Sequence, residues 1–202
     1  MGLPSGIVVA ARPVSYGVAM NEPVEAESTS SPAGSGARRF DPILFIATGA
    51  GFGYSPFASG TVGAVWGLPL AWLVAQLEVW IEPRGLSLGI QLAVIAAAIL
   101  IGIPVASAAA RRLGGAKDPG AIVWDEIASM LLVFLFVPVA EMSSPLILGI
   151  GFVLHRFFDV VKLPPCRQLE RLPNGLGIMA DDVVAALYAC VVLHAVRWLW
   201  LG

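Results

Sequence analysis

Charge is what this chain has least of: Asp, Glu, Lys and Arg together make up 13% of its 202 residues, against about 25% in an ordinary soluble domain. With 57% of residues hydrophobic, there is too little polar surface to cover one soluble core, and the chain reads as an integral membrane protein. A net charge of -2 and the lack of any Lys/Arg-rich run exclude a nucleic-acid partner. Cysteine is nearly absent: Cys166 stands in a polar loop and Cys190 in an apolar stretch, which excludes a disulfide framework and a CxxC site. Histidine is equally sparse, with only His155 and His194.

What is present falls into two regions. Residues 1–39 are rich in Ser, Pro, Gly, Ala and Glu without an apolar period, and are expected to form a disordered tail. A secretory signal is not expected, because Arg12 follows the short run Ile7 to Ala11 instead of preceding it; a true start near Arg38 would explain the segment equally well. Residues 40–202 alternate apolar runs with short polar turns and are expected to form one membrane-embedded domain.

Leu86 to Ala110 is uncharged over about 25 residues, and a hydrocarbon core needs about 20. Val62 to Trp80 and Val183 to Trp200 are long enough as well, with tryptophans suited to interfacial belts. Ala121 to Val139 and Pro145 to Val161 reach spanning length only by including Asp125, Glu126, Arg156 and Asp159. The expected fold is all-α, a polytopic bundle of about 4–5 transmembrane or membrane-embedded helices.

Arg38 and Arg39, then Arg111, Arg112 and Lys117, then Lys162, Arg167 and Arg171 occupy alternate loops, which the positive-inside rule places in the cytoplasm. Five spans with a cytoplasmic N-terminus fit this pattern. That topology brings Asp118, Asp125, Glu126, Arg156, Asp159, Lys162, Asp181 and Asp182 to the cytoplasmic face.

Ionised groups beside membrane segments are costly, so these carboxylates mark a functional site by default. Each also has a plainer reading. Asp125-Glu126 could snorkel at a helix end, and neighbours about 100° apart on a helix leave only one to aim at a common centre. Asp181 or Asp182 could cap a helix after a turn at Gly175-Leu176-Gly177. Arg156, Asp159 and Lys162 recur every third residue with His155 nearby, as a phosphate site or a self-neutralised ion cluster would. Counted together, the acids outnumber Lys117, Arg156 and Lys162, and like charges 4 Å apart repel by about 4 kcal/mol at an effective dielectric near 20. A cation should balance them, and all-oxygen ligands point to Mg2+.

The run Gly49 to Gly63 holds closely spaced glycines with Ser55, Ser59 and Thr61. Its backbone N–H groups could cradle a phosphate, although no Gly-Lys-Ser/Thr follows; the plainer reading is close helix packing.

Four blocks in order then resemble the phosphatidylglycerophosphatase A family. They are Ser55-Pro56 with Gly60-Thr61-Val62-Gly63; Ile122-Val123-Trp124-Asp125-Glu126; Phe152 with His155-Arg156-Phe157-Phe158-Asp159 and Lys162; and Gly175-Leu176-Gly177-Ile178-Met179-Ala180-Asp181-Asp182. The match runs from about Asp41 to Leu193, with departures at Ser59, Ala64 and Leu163 where proline, serine and proline are expected.

The resemblance implies a Mg2+-dependent lipid phosphatase that hydrolyses phosphatidylglycerophosphate to phosphatidylglycerol and inorganic phosphate in phospholipid biosynthesis. It implies a multi-pass protein of the bacterial inner membrane with a cytoplasmic active site. Asp125, Glu126, Asp181 and Asp182 are then expected as catalytic acids, and Asp125, Glu126, Asp159, Asp181 and Asp182 as metal ligands. Thr61, Arg156 and Lys162 are expected to position substrate. The lipid and the bilayer are the expected partners; a homo-oligomer is neither required nor excluded.

Neighbouring mechanisms do not fit. A cysteine phosphatase needs Cys-x5-Arg, and Leu172 stands six residues after Cys166. His155 alone cannot form a histidine phosphatase site, and His194, in an apolar helix, is expected to be structural. The alternative from another class is a small cation-coupled transporter or Mg2+ channel, which predicts acids spread along a path through the bilayer.

Overall fold

The computed structural model describes residues 40–201; the expected tail at 1–39 lies outside them. The described residues are all-helical: α1 (Pro42–Ala47), α2 (Ser59–Ala75), α3 (Leu77–Trp80), α4 (Arg84–Arg112), α5 (Trp124–Val133), α6 (Pro145–Val161), α7 (Cys166–Leu169) and α8 (Gly175–Leu201). Local chemistry sets several ends. Asp41 Oδ1 accepts from the N–H groups of Ile43 at 3.0 Å and Leu44 at 3.3 Å and so caps α1. Pro145 opens α6 over the bounds its apolar pattern predicts, and Lys162, in the left-handed region at φ 49°, closes it.

Three helical stretches are long and apolar enough to cross a bilayer: Ser59–Trp80, Arg84–Arg112 and Gly175–Trp200. The bundle is that of a membrane protein. Only 22% of the most apolar window of α4 is buried in the protein, against 50% for α8. Thus α4 owes its composition to lipid, and α8 is shared between lipid and core.

The segment Ala121 to Val139 differs from the expected continuous span. Its helix, α5, has 10 residues, about 15 Å, and ends before the chain turns through Phe136 at φ 67°. Its apolarity comes from burial in protein: Ile127, Met130, Leu131, Leu132 and Val133 are all in the core, as are Phe134, Leu135 and Val137 beyond the helix. Glycine makes the packing close, since a Cβ on Gly67 of α2 would stand 2.5 Å from Met130 Cβ. Non-helical backbone inside a membrane bundle needs partners from the protein. His194 Nε2–H donates to the Leu135 carbonyl at 2.8 Å, and its Nδ1 accepts from Arg197 at 2.8 Å. This is the structural role expected of His194.

The chain passes back and forth between two ends. At one, Glu78 accepts from the N–H of Val139 at 3.0 Å, and Arg197 pairs with Glu141 through two hydrogen bonds of 2.6 Å. At the other lie the start of α2, the start of α5, the end of α6 and the first turns of α8. There Ser107 of α4 accepts from the N–H of Gly175 at 2.8 Å.

Candidate active site

Asp125 and Glu126 occupy the first turn of α5, where the helix N-terminus favours negative charge. Asp182 comes from α8, two turns in from Gly175. Oxygens from these three carboxylates all lie within 4.8 Å of one another. Both members of the α5 pair therefore reach one centre, contrary to expectation, because the longer Glu126 side chain can swing back over the angle between neighbours. Asp125 Oδ1, Glu126 Oε2 and Asp182 Oδ2 are buried without any hydrogen-bond partner. An uncompensated buried charge is costly, so this group is suited to a cation. The donors are all hard oxygens, which fits Mg2+ or Ca2+ better than a soft metal.

The remaining acids are engaged. Asp181 Oδ2 lies 2.8 Å from Lys162 Nζ, which also meets Glu170 at 3.2 Å. Asp159 Oδ2 is 2.9 Å from Arg156 Nη1, a close ion pair without hydrogen-bond alignment at that nitrogen. Of the five expected metal ligands, three form the open group and Asp159 and Asp181 are paired with cations. Neither Asp181 nor Asp182 is an N-cap: the glycine segment expected as a turn is itself the first turn of α8.

A cavity of about 290 Å³ opens over the group, lined by Asp118, Asp125, Glu126, Asp159, Lys162, Asp181 and Asp182. Burial raises the Asp118 carboxyl above its usual range, opposed chiefly by Lys162. Burial alone would lower Lys162, yet Asp181 and then Glu170 hold its ammonium above the ordinary range. Ser59 lines the cavity, whereas Thr61 and Arg156 are not among its walls.

The glycine run serves packing beside the site. A Cβ on Gly60 would collide with Glu126 Oε1 and come within 3.3 Å of Arg156 Nη2, so α2 approaches the site through the absence of a side chain. No side chain caps α2, which leaves first-turn N–H groups free there. Ala64, where the family pattern has serine, is fully buried in the core, so that departure removes nothing from the cavity.

Lys117, counted among the cations near the acids, lines the cavity, as do Glu170 and Asn174, which sequence reasoning missed. Glu170 carries no spacing signal: it reaches Lys162 because the chain folds back after α6.

The sequence model of the phosphatidylglycerophosphatase A family matches residues 45–197. The chain is 35% identical over 164 residues to the phosphatidylglycerophosphatase A of Haemophilus influenzae, covering 80% of this chain and 91% of that one. It is 30% identical over 161 residues to the protein of that name in Escherichia coli, covering 79% and 86%. It is also 33% identical over 159 residues, covering 79% and 95%, to a Bacteroides thetaiotaomicron protein provisionally named a phosphatidylinositol-3-phosphatase. No solved structure matches the chain.

Proposed function

The chain belongs to the phosphatidylglycerophosphatase A family and is a phosphatase, and from that premise we propose that it hydrolyses phosphatidylglycerophosphate to phosphatidylglycerol and inorganic phosphate with Mg2+ in phospholipid biosynthesis. The observation that carries the metal reading is the group Asp125, Glu126 and Asp182, whose oxygens converge within 4.8 Å while one oxygen of each is buried without a partner. These residues would hold the ion, which when bound supplies polarisation of the phosphoryl oxygens and a site for water.

The chain's own groups do the rest. The open first turn of α2, which contains Thr61 and whose Ser59 lines the cavity, donates to the phosphate oxygens, and Arg156, ion-paired to Asp159, adds positive charge behind that wall. Lys162 adds positive charge at the cavity wall, and Asp181 and Asp159 hold the two cations in place. Water attacks phosphorus and passes its proton to a cavity carboxylate. The bond from phosphorus to the glycerol oxygen breaks, and that oxygen regains a proton. Asp118, whose burial favours its protonated form, is suited to return it.

The same reading makes residues 40–202 one lipid phosphatase domain, multi-pass in a bacterial inner membrane, with the cavity on the cytoplasmic side. Arg111, Arg112, Lys117, Lys162, Arg167 and Arg171 gather in the helix ends and connections on the cavity side, whereas the far end carries Arg84 and Arg197. The transporter or channel alternative expects acids along a path, and the acids of this cavity are gathered at one end.

The test is phosphate release by purified protein reconstituted with phosphatidylglycerophosphate or with phosphatidylinositol-3-phosphate, each with Mg2+ or with chelator. Release from the first lipid that requires Mg2+ is expected. No release, or equal release with chelator, overturns the reading; preference for the inositol lipid replaces the substrate and keeps the chemistry.

A further inference from the structure

One helical turn beneath the carboxylates lies a buried polar pair that the reaction as described does not use. Ser129 Oγ is 3.1 Å from the main-chain oxygen of Glu126 and 2.8 Å from His155 Nε2, and Ser129 and His155 are both 0% exposed. A carbonyl only accepts, so the single hydroxyl proton goes to Glu126. His155 must therefore donate Nε2–H to Ser129 Oγ. That assignment leaves Nδ1 without a proton, and it is buried without a partner. A serine bonding back to its own helix is ordinary; a buried imidazole spending its one N–H on that serine is not explained by helix geometry.

The pair is placed to set distances in the site. Ser129 follows Glu126 by three residues and Asp125 by four on α5, while His155 precedes Asp159 by four on α6. Residues three or four apart stack on one helical face. Among the described residues, this is the only side-chain hydrogen bond between α5 and α6. The α5 carboxylates and the Arg156–Asp159 pair are thus referenced to each other through one buried bond.

We propose that Ser129 and His155 are positioning residues that lock the first turn of α5 to the last turns of α6 and thereby set the affinity of the Asp125, Glu126 and Asp182 group for a divalent cation. This rests on the metal reading above. Partners behind a metal-binding group change affinity by about 10- to 100-fold when removed.

The experiment measures Mn2+ binding to detergent-purified protein by electron paramagnetic resonance, alongside thermal unfolding, for the wild type, H155F, H155Q and S129A. H155F and S129A are expected to bind Mn2+ about 10- to 100-fold more weakly, and H155Q, whose amide N–H can still donate to Ser129, to recover most of the affinity. Folded H155F or S129A with wild-type affinity overturns the proposal, even if both melt at lower temperature, because a merely structural pair moves only the melt. If H155F does not fold, S129A, which removes a single oxygen, decides. Wild-type protein that binds no Mn2+ overturns the metal reading itself, an outcome distinct from variants that bind normally.

Discussion

Lys162 Nζ is 2.8 Å from Asp181 Oδ2, while Asp182, the next residue, turns its carboxylate to Asp125 and Glu126. Neighbours on a helix point about 100° apart, so two adjacent aspartates have different partners and should have different work. D182N is expected to lose more than about 10-fold in Mn2+ affinity, while D181N stays within about threefold and loses turnover through a misplaced Lys162. Mn2+ titration of both variants, with phosphate release measured in parallel, checks the division; equal losses of affinity would refute it.

The open carboxylate group should tolerate no neutralisation. Folded D125N and D182N are expected to lose nearly all phosphate release, because each removes one of three charges offered to a single cation. Turnover in reconstituted vesicles is the measure, and full activity in either variant removes that residue from the catalytic set.

Gly60 offers a steric test. G60A would press a methyl group against Glu126, and a displacement of about 1 Å can cost on the order of 100-fold in rate. The expected result is a folded protein with turnover reduced by about that factor; unchanged turnover would mean that α2 retreats without cost to the site.

Far from the cavity, Glu141 is held below its usual carboxylate range, first by the hydrogen bonds from Arg197. A depressed folded value contributes stability that is present above the unfolded value, about 4.3, and is lost as pH falls through the folded one. Thermal unfolding in detergent at pH 7 and stepwise downward should show the wild type losing stability below about pH 4.3. E141Q should melt lower at pH 7 and respond less to acid; an identical pH profile would contradict the assignment.

Class and most of the residue inventory follow from composition and local pattern. Scarcity of charge forces a membrane bundle, Pro145 to Val161 is helical over the expected bounds, and every expected metal-binding acid lines one cavity. These features were legible because composition and period act locally, along one helix at a time. Packing in three dimensions explains why Ala121 to Val139 is apolar, since a run facing lipid and a run facing protein read alike. It alone separated Asp182 from Asp181 and joined Lys162 to Glu170 and Ser129 to His155. Partner choice depends on the rotation and depth of one helix against another, distances that no spacing within a single segment encodes.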